Sequence, residues 1–160
     1  DHGVRMYLVE NPNVSREILE RLSNETFWYV PEMMARNRNT PYYILEKLAN
    51  HTNDHVRKSL AKNKHIDWEL LEKLSYDQDT SVVTNIASHK NITKEMIERL
   101  SNHEDKWIRL RIAWNRKTGK EILERYLNDG SEDEYVRESS FENLSRRFKE
   151  YKGLSFESFL

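Results

Sequence analysis

Apolar residues recur along this chain in one repeated phrase. "ILERL" (18–22), "ILEKL" (44–48), "LLEKL" (70–74), "MIERL" (96–100) and "ILERY" (122–126) follow one another in steps of 26 residues. Their apolar positions fall at i, i+1, i+4 and i+5, as in Ile44, Leu45, Leu48 and Ala49, and so make one stripe on a 3.6-residue helix. A second phrase lies between the copies of the first. Val30, Val56, Val82 and Ile108 are in register, with Ala35, Ala61, Ala87 and Ala113 five residues later. Asn11, Asn37, Asn63, His89 and Asn115 keep the same step. The last copy, "YVRESSFEN", arrives two residues late at Val136 and Asn143, and the extra residues fall in the loop-like "NDGSEDE" (128–134).

The pattern predicts two helices per copy and no strand. The first begins near Ser15, Pro41, Asp67 or Thr93, residue types suited to a helix start. Its outer face offers Glu17→Arg21, Glu69→Lys73, Glu95→Arg99 and Glu121→Arg125, each pair expected to add about 0.2–0.5 kcal/mol. The second helix runs roughly from Val56 to Lys62, with Val56, Leu60 and Ala61 inward. Asn63 is expected to end it, since Asn tolerates the left-handed backbone. One helix pair this small cannot bury both stripes, so neighbouring copies must stack. The expected fold is all-α: an α-solenoid of about five 26-residue two-helix repeats in a right-handed stack. Residues 1–160 read as one helical-repeat domain, with a half repeat at 4–11, repeats at 11–36, 37–62, 63–88, 89–114 and 115–142, and a C-terminal cap at 143–160. Leu22, Leu48, Leu74 and Leu100 are expected to be buried.

"DHVRKSLAKNKHIDWELLEKLS" (54–75) resembles the variant leucine-rich repeat, a HEAT-like helical repeat family. Val56, Arg57, Leu60, Ala61 and Asn63 carry the likeness, with Thr40, Pro41, Leu45 and Leu48 one copy earlier. The resemblance implies second helices lining a concave side, and a binding scaffold rather than a catalyst. Some members are associated with a Cys-bound iron–sulfur cluster. This chain has no Cys, so that property does not carry over.

Composition narrows the function. Lys and Arg number 26 against 27 Asp and Glu, a net charge of −1, which argues against a polyanion binder over the whole surface. The absence of Cys fits a reducing, cytoplasmic setting, and no apolar run is long enough to span a bilayer. The chain opens on Asp1, so its start reads as a cleaved or trimmed end. His2, His51, His55, His65, His89 and His103 are not spaced as metal ligands, and Gly119–Lys120 lacks the rest of a phosphate loop. No cofactor and no enzymatic activity are expected.

Arg5, Arg57, Arg109 and Arg137 share one repeat position, read as an Arg–carboxylate ladder tying turns together, with Asp54 near Arg57. Basic residues otherwise gather on the second helices and acids in the turns before them. Arg111 and Trp114, three apart, project to one side beside the smaller Ser59, Asn85 and Ser88 of neighbouring copies. Trp114 reads either as an anchor for a partner or as packing against Phe141 or the next copy. The candidate partner-binding residues are Arg57, Lys58, Lys62, Arg109, Arg111 and Trp114. The expected function is a protein–protein interaction scaffold binding a peptide or protein, possibly acidic, on its concave face. The alternative is a nucleic-acid-binding HEAT-like module. No membrane role is expected. Self-association through an uncapped N-terminal end is a further expectation, because "VRMYLV" leaves Met6, Tyr7, Leu8 and Val9 together. In the tail, Gly153 is expected to stop a short helix, and Leu154, Phe156, Phe159 and Leu160 to fold back.

Overall fold

A computed structural model describes residues 2–11, 13–25 and 28–160. Asp1 and the side chain of His2 lie outside the described residues. Among those described, every regular element is helical. The helices are α1 (His2–Glu10), α2 (Arg16–Ser23), α3 (Tyr29–Arg36), α4 (Tyr42–Leu48), α5 (Asp54–Ala61), α6 (Trp68–Leu74), α7 (Thr80–Ala87), α8 (Lys94–Leu100), α9 (Lys106–Trp114), α10 (Lys120–Asn128) and α11 (Glu134–Arg147). Two short 3₁₀ turns follow at Lys149–Tyr151 and Phe156–Phe159. The chain divides into two compact units, 1–91 and 92–160.

The first helices start where their caps require. Ser15, Asp67 and Thr93 accept the backbone N–H groups of Ile18, Leu70 and Met96 through their side chains. Pro41 and Gly119 hold the same place without a side-chain cap. The second helices α5, α7, α9 and α11 are capped too, whereas Trp28 gives α3 no side-chain cap, and these caps explain the acidic turns. Asn53, Asp79, Asp105 and Asp133 accept from the N–H two residues on, at His55, Ser81, Trp107 and Tyr135. The cap at Asn53 starts α5 at Asp54, two residues before Val56.

In the first unit α3 packs on α1, α5 on α3, and α7 on α5, while α4 lies against α2. In the second, α11 packs on both α9 and α10. Leu22, Leu48, Leu74 and Leu100 are all buried, as are Val30, Val56, Val82 and Ile108 with the alanines that follow them. The small alanines let second helices approach one another.

Asn63 does not work through a left-handed backbone, and no described residue other than Gly153 has positive φ. Instead its amide bridges copies. Asn63 donates to the Ala35 carbonyl at 2.8 Å, satisfying an orphan acceptor at the end of α3, and accepts from the His65 N–H. Asn37 does the same with Val9 O and the Asn39 N–H. His89 reproduces the pattern with a ring. Its Nδ1 accepts from the Asn91 N–H, which leaves Nε2 to donate to the Asn63 carbonyl at 3.1 Å. Asn143 donates to Ala113 O, and because α11 continues past it, its oxygen accepts from Arg147 instead of a turn N–H. Thr40 and Thr118 close two further carbonyls, those of Met34 and Ile112, each at 2.6 Å.

The outer charges of the first helices also behave differently from expectation. Glu69 accepts from Tyr42 and Arg125 reaches Ser101 and Glu98, all one copy away, rather than pairing along their own helices. Side-by-side packing brings the neighbouring copy within reach, so the i,i+4 partner is not the nearest one.

In the tail, Gly153 adopts φ 85°, a left-handed conformation that suits Gly, just after the first 3₁₀ turn. Phe156 and Phe159, with Phe141, Phe148 and Tyr151, pack on the buried Leu123, Leu127 and Leu144. Leu154 and Leu160 do not fold back and stay exposed. A 3₁₀ turn places only one face against the core, and these two leucines lie outside it.

Candidate functional site

The basic residues singled out by the sequence divide into two groups. Arg57 is committed to the fold. Its guanidinium forms a bidentate pair with Asp77 at 2.6 and 2.9 Å and donates to the carbonyls of His51 and Thr52. Both side chains are nearly inaccessible, at 7% and 6% exposure. The Asp77 hydrogen bond raises the Arg57 pKa against the opposing effect of burial. Arg109 repeats the arrangement with Glu132 at 2.8 and 2.7 Å and with the His103 and Glu104 carbonyls. Arg5 pairs with Glu25 at 2.8 Å. In each case the carboxylate comes from the next turn along the chain, and Asp54 pairs with Lys58 instead. Arg137 departs from the ladder. It donates to the carbonyls of Leu127 and Phe159, because the tail rather than another helix pair follows α11. Lys58 is held by Asp54 and, at 3.5 Å, by Asp79.

Lys62, Arg111 and Trp114 are different: all three are exposed. Trp114 keeps 57% of its surface accessible. Its indole N–H donates to Ser139 Oγ on α11 at 2.6 Å, so the ring is fixed in orientation while remaining open to solvent. Phe141 is not its partner. That ring sits 6.0 Å from Phe156 and 5.6 Å from Phe159, in the tail cluster. Trp107, 56% exposed, lies one heptad before Trp114. Positions 107, 111 and 114 are i, i+4 and i+7 of α9, so two tryptophans flank Arg111 on a single face about 10 Å long. Lys106 Nζ lies over the Trp107 ring at 5.3 Å and pairs with Asp133. Tyr135, exposed on α11, occupies the place of Trp107 in the following copy. Trp107 was legible in the sequence through this spacing.

A second feature lies wholly in the first unit. A groove of about 710 Å³ runs across the C-terminal ends of α3 and α5. Its lining includes Arg36, Arg38, Lys62, Lys64 and His65, with Glu10 as the one acid among its described residues. Arg36 is engaged, by Glu32 at 2.5 Å and Ser59 at 3.2 Å. Arg38, Lys62 and Lys64 are exposed, and among the described residues their side chains have no hydrogen-bonding or ionic partner. Of these cations, only Lys62 is a candidate from the repeat register. The signal for the others was the tripeptides "RNR" (36–38) and "KNK" (62–64), which flank the structural Asn in two consecutive copies.

Among the described residues, no group of three His, Asp or Glu side chains is placed to hold a metal ion, and no helix is long and apolar enough to cross a membrane. His51 and His103 act in turns, each Nδ1 accepting from the backbone N–H two residues on. Comparison of the chain with protein-family models, curated proteins and solved structures finds no match.

Proposed function

We propose that the chain is a non-enzymatic scaffold, an α-solenoid of two-helix repeats that binds a peptide or protein partner on the exposed side of its second helices. The 26-residue step and the Asn-to-carbonyl bridge found in both units support the repeat reading. One observation carries the binding reading: the Trp107–Arg111–Trp114 face of α9, with Trp114 pinned by Ser139 yet open to solvent. Large rigid aromatics beside an arginine are the side chains that dominate binding hot spots, and a ring already held in place loses little entropy on contact. Arg111 adds a bidentate donor for a carboxylate.

The test selects peptides from a random display library on the purified chain, then measures their affinity for Trp107→Ala/Trp114→Ala. The expected result is at least a tenfold loss of affinity (about 1.4 kcal/mol) with the thermal transition retained. Selected peptides that bind the double variant as well as the parent chain remove this face from the site. A single-stranded oligonucleotide that binds in place of peptides, through stacking on the same rings, overturns the protein-binding reading.

A further inference from the structure

The basic groove of the first unit assigns a chemistry to the partner. We propose that this groove binds an acidic peptide segment in an extended, polyproline-like conformation, with carboxylates three residues apart. This deepens the scaffold reading above and rests on it.

The fold uses some of these charges and leaves others. Every second-helix cation near a turn has a carboxylate or carbonyl partner: Arg57, Lys58 and Arg109 are all engaged. At the other end of α3 and α5, Arg38, Lys62 and Lys64 have none among the described residues. Cations at a helix C-terminus offset its dipole, but that effect fades within the last turn, and Arg38 and Lys64 lie beyond it. They stand two residues past Arg36 and Lys62, on the far side of Asn37 and Asn63. Those amides are fixed to the Val9 and Ala35 carbonyls, so the basic rows they separate are held on rigid supports.

The spacing selects the ligand. Packed helices such as α3 and α5 lie roughly 8–10 Å apart. A polyproline II chain has three residues per turn and rises about 3.1 Å per residue, so side chains at i and i+3 share a face about 9 Å apart. Carboxylates with that spacing meet one row of cations each. A strand alternates every two residues, at about 6.6 Å, and falls short of the second row. The volume, about 710 Å³, suits a few residues of peptide. Val9 and Met33 give the lining apolar surface, and with His65 as the one ring among its described residues the groove offers no platform on which successive bases stack.

The experiment uses the full chain and fluorescence anisotropy with three labelled probes: a Pro-rich peptide with Glu at every third position, a peptide of the same composition with its Glu residues adjacent, and a single-stranded oligothymidylate. The variant is Arg38→Ala/Lys62→Ala/Lys64→Ala, with Leu154→Ala/Leu160→Ala as the control. The expected result is that the spaced peptide binds about tenfold more tightly than the clustered one, and that the triple variant loses about tenfold in affinity with an unchanged thermal transition. The leucine variant keeps the spaced peptide. Equal binding of both peptides, a triple variant that binds as the parent does, preference for the oligothymidylate, or no binding at all each overturns the proposal. If display-selected peptides still require Trp107 and Trp114, such a failure removes the groove alone. If they too are absent, the scaffold reading falls with it.

Discussion

Arg57 and Lys62 stand five residues apart, at the two ends of α5, and their charges have opposite fates. At the turn end, Arg57 is buried, forked onto Asp77 and bonded to two carbonyls. At the groove end, Lys62 is exposed and unpaired among the described residues. The second unit repeats the contrast along α9, with Arg109 on Glu132 and with Arg111 and Trp114 exposed. What recurs is what the packing of these helices needs: side-chain caps such as Asp67 and Asp79, the bracket at Arg5, Arg57 and Arg109, and an amide on an orphan carbonyl at Asn37, Asn63 and Asn143. What varies from copy to copy sits on the exposed side, where neighbours make no demand. Function is therefore to be sought where the period is silent.

The largest effect follows from breaking the bracket. Arg57→Ala leaves the Asp77 carboxylate almost inaccessible without its partner, and two carbonyls without their donor. Losing one member of a buried ion pair typically costs about 3–5 kcal/mol. Lys62→Ala, five residues away, should stay within about 0.5 kcal/mol of the parent. Denaturant unfolding of the two variants measures the gap. Similar losses for both would show that the two ends of α5 do not differ in the way their contacts imply.

The tail sets a smaller test of the same contrast, between side chains the fold uses and those it leaves out. Phe156 and Phe159 are half-buried on the Leu123–Leu127–Leu144 cluster, and the Phe159 carbonyl accepts from Arg137 at 2.5 Å. Leu154 and Leu160 are exposed. Removing residues 153–160 should cost about 1–3 kcal/mol, the value of two partly buried rings, and lower the melting temperature by several degrees. Leu154→Ala with Leu160→Ala should leave it unchanged. A melting temperature that ignores the truncation would mean that the aromatic contacts contribute nothing.

Much of the architecture was legible because helix periodicity and capping are local. Ser15, Asp67 and Thr93 cap the helices where their residue types place them, and the leucine phrase marks the buried stripe. Most of the misses are relations between copies. Asp54 is near Arg57 in sequence, but the turn of the next copy brings Asp77 closer in space. Asn63 looked like a left-handed stop, because the carbonyl it serves belongs to Ala35, one copy back. His89 gave no hint that an imidazole can supply the acceptor and the donor of the amide it replaces. Of the candidate site, Lys62, Arg111 and Trp114 were found from exposure in the repeat register. Arg38 and Lys64 were passed over because they fall after the helix, where the pattern of apolar positions carries no information.

The smallest effect separates charge from capping at one turn residue. Asp133 caps α11 by accepting from the Tyr135 N–H and also pairs with Lys106 at 2.8 Å. The Lys106 hydrogen bond is the main reason its pKa lies below the ordinary 3.8, with burial opposing. A carboxylate lowered on folding contributes stability that is complete above its unfolded value and lost as pH falls through the folded one. The acid limb therefore contains a contribution from this pair below about pH 4. Asp133→Asn keeps a good N-cap and removes the charge. Near neutral pH the variant should be slightly less stable than the parent, since Lys106 loses its partner. As the pH falls through the lowered folded value the two should converge, because the contribution of the parent carboxylate is lost there. Unfolding curves at a series of pH values measure the difference. A gap that stays constant across the acid range would assign the whole role of Asp133 to the cap, and would leave turn charge without a part in the stability of the second unit.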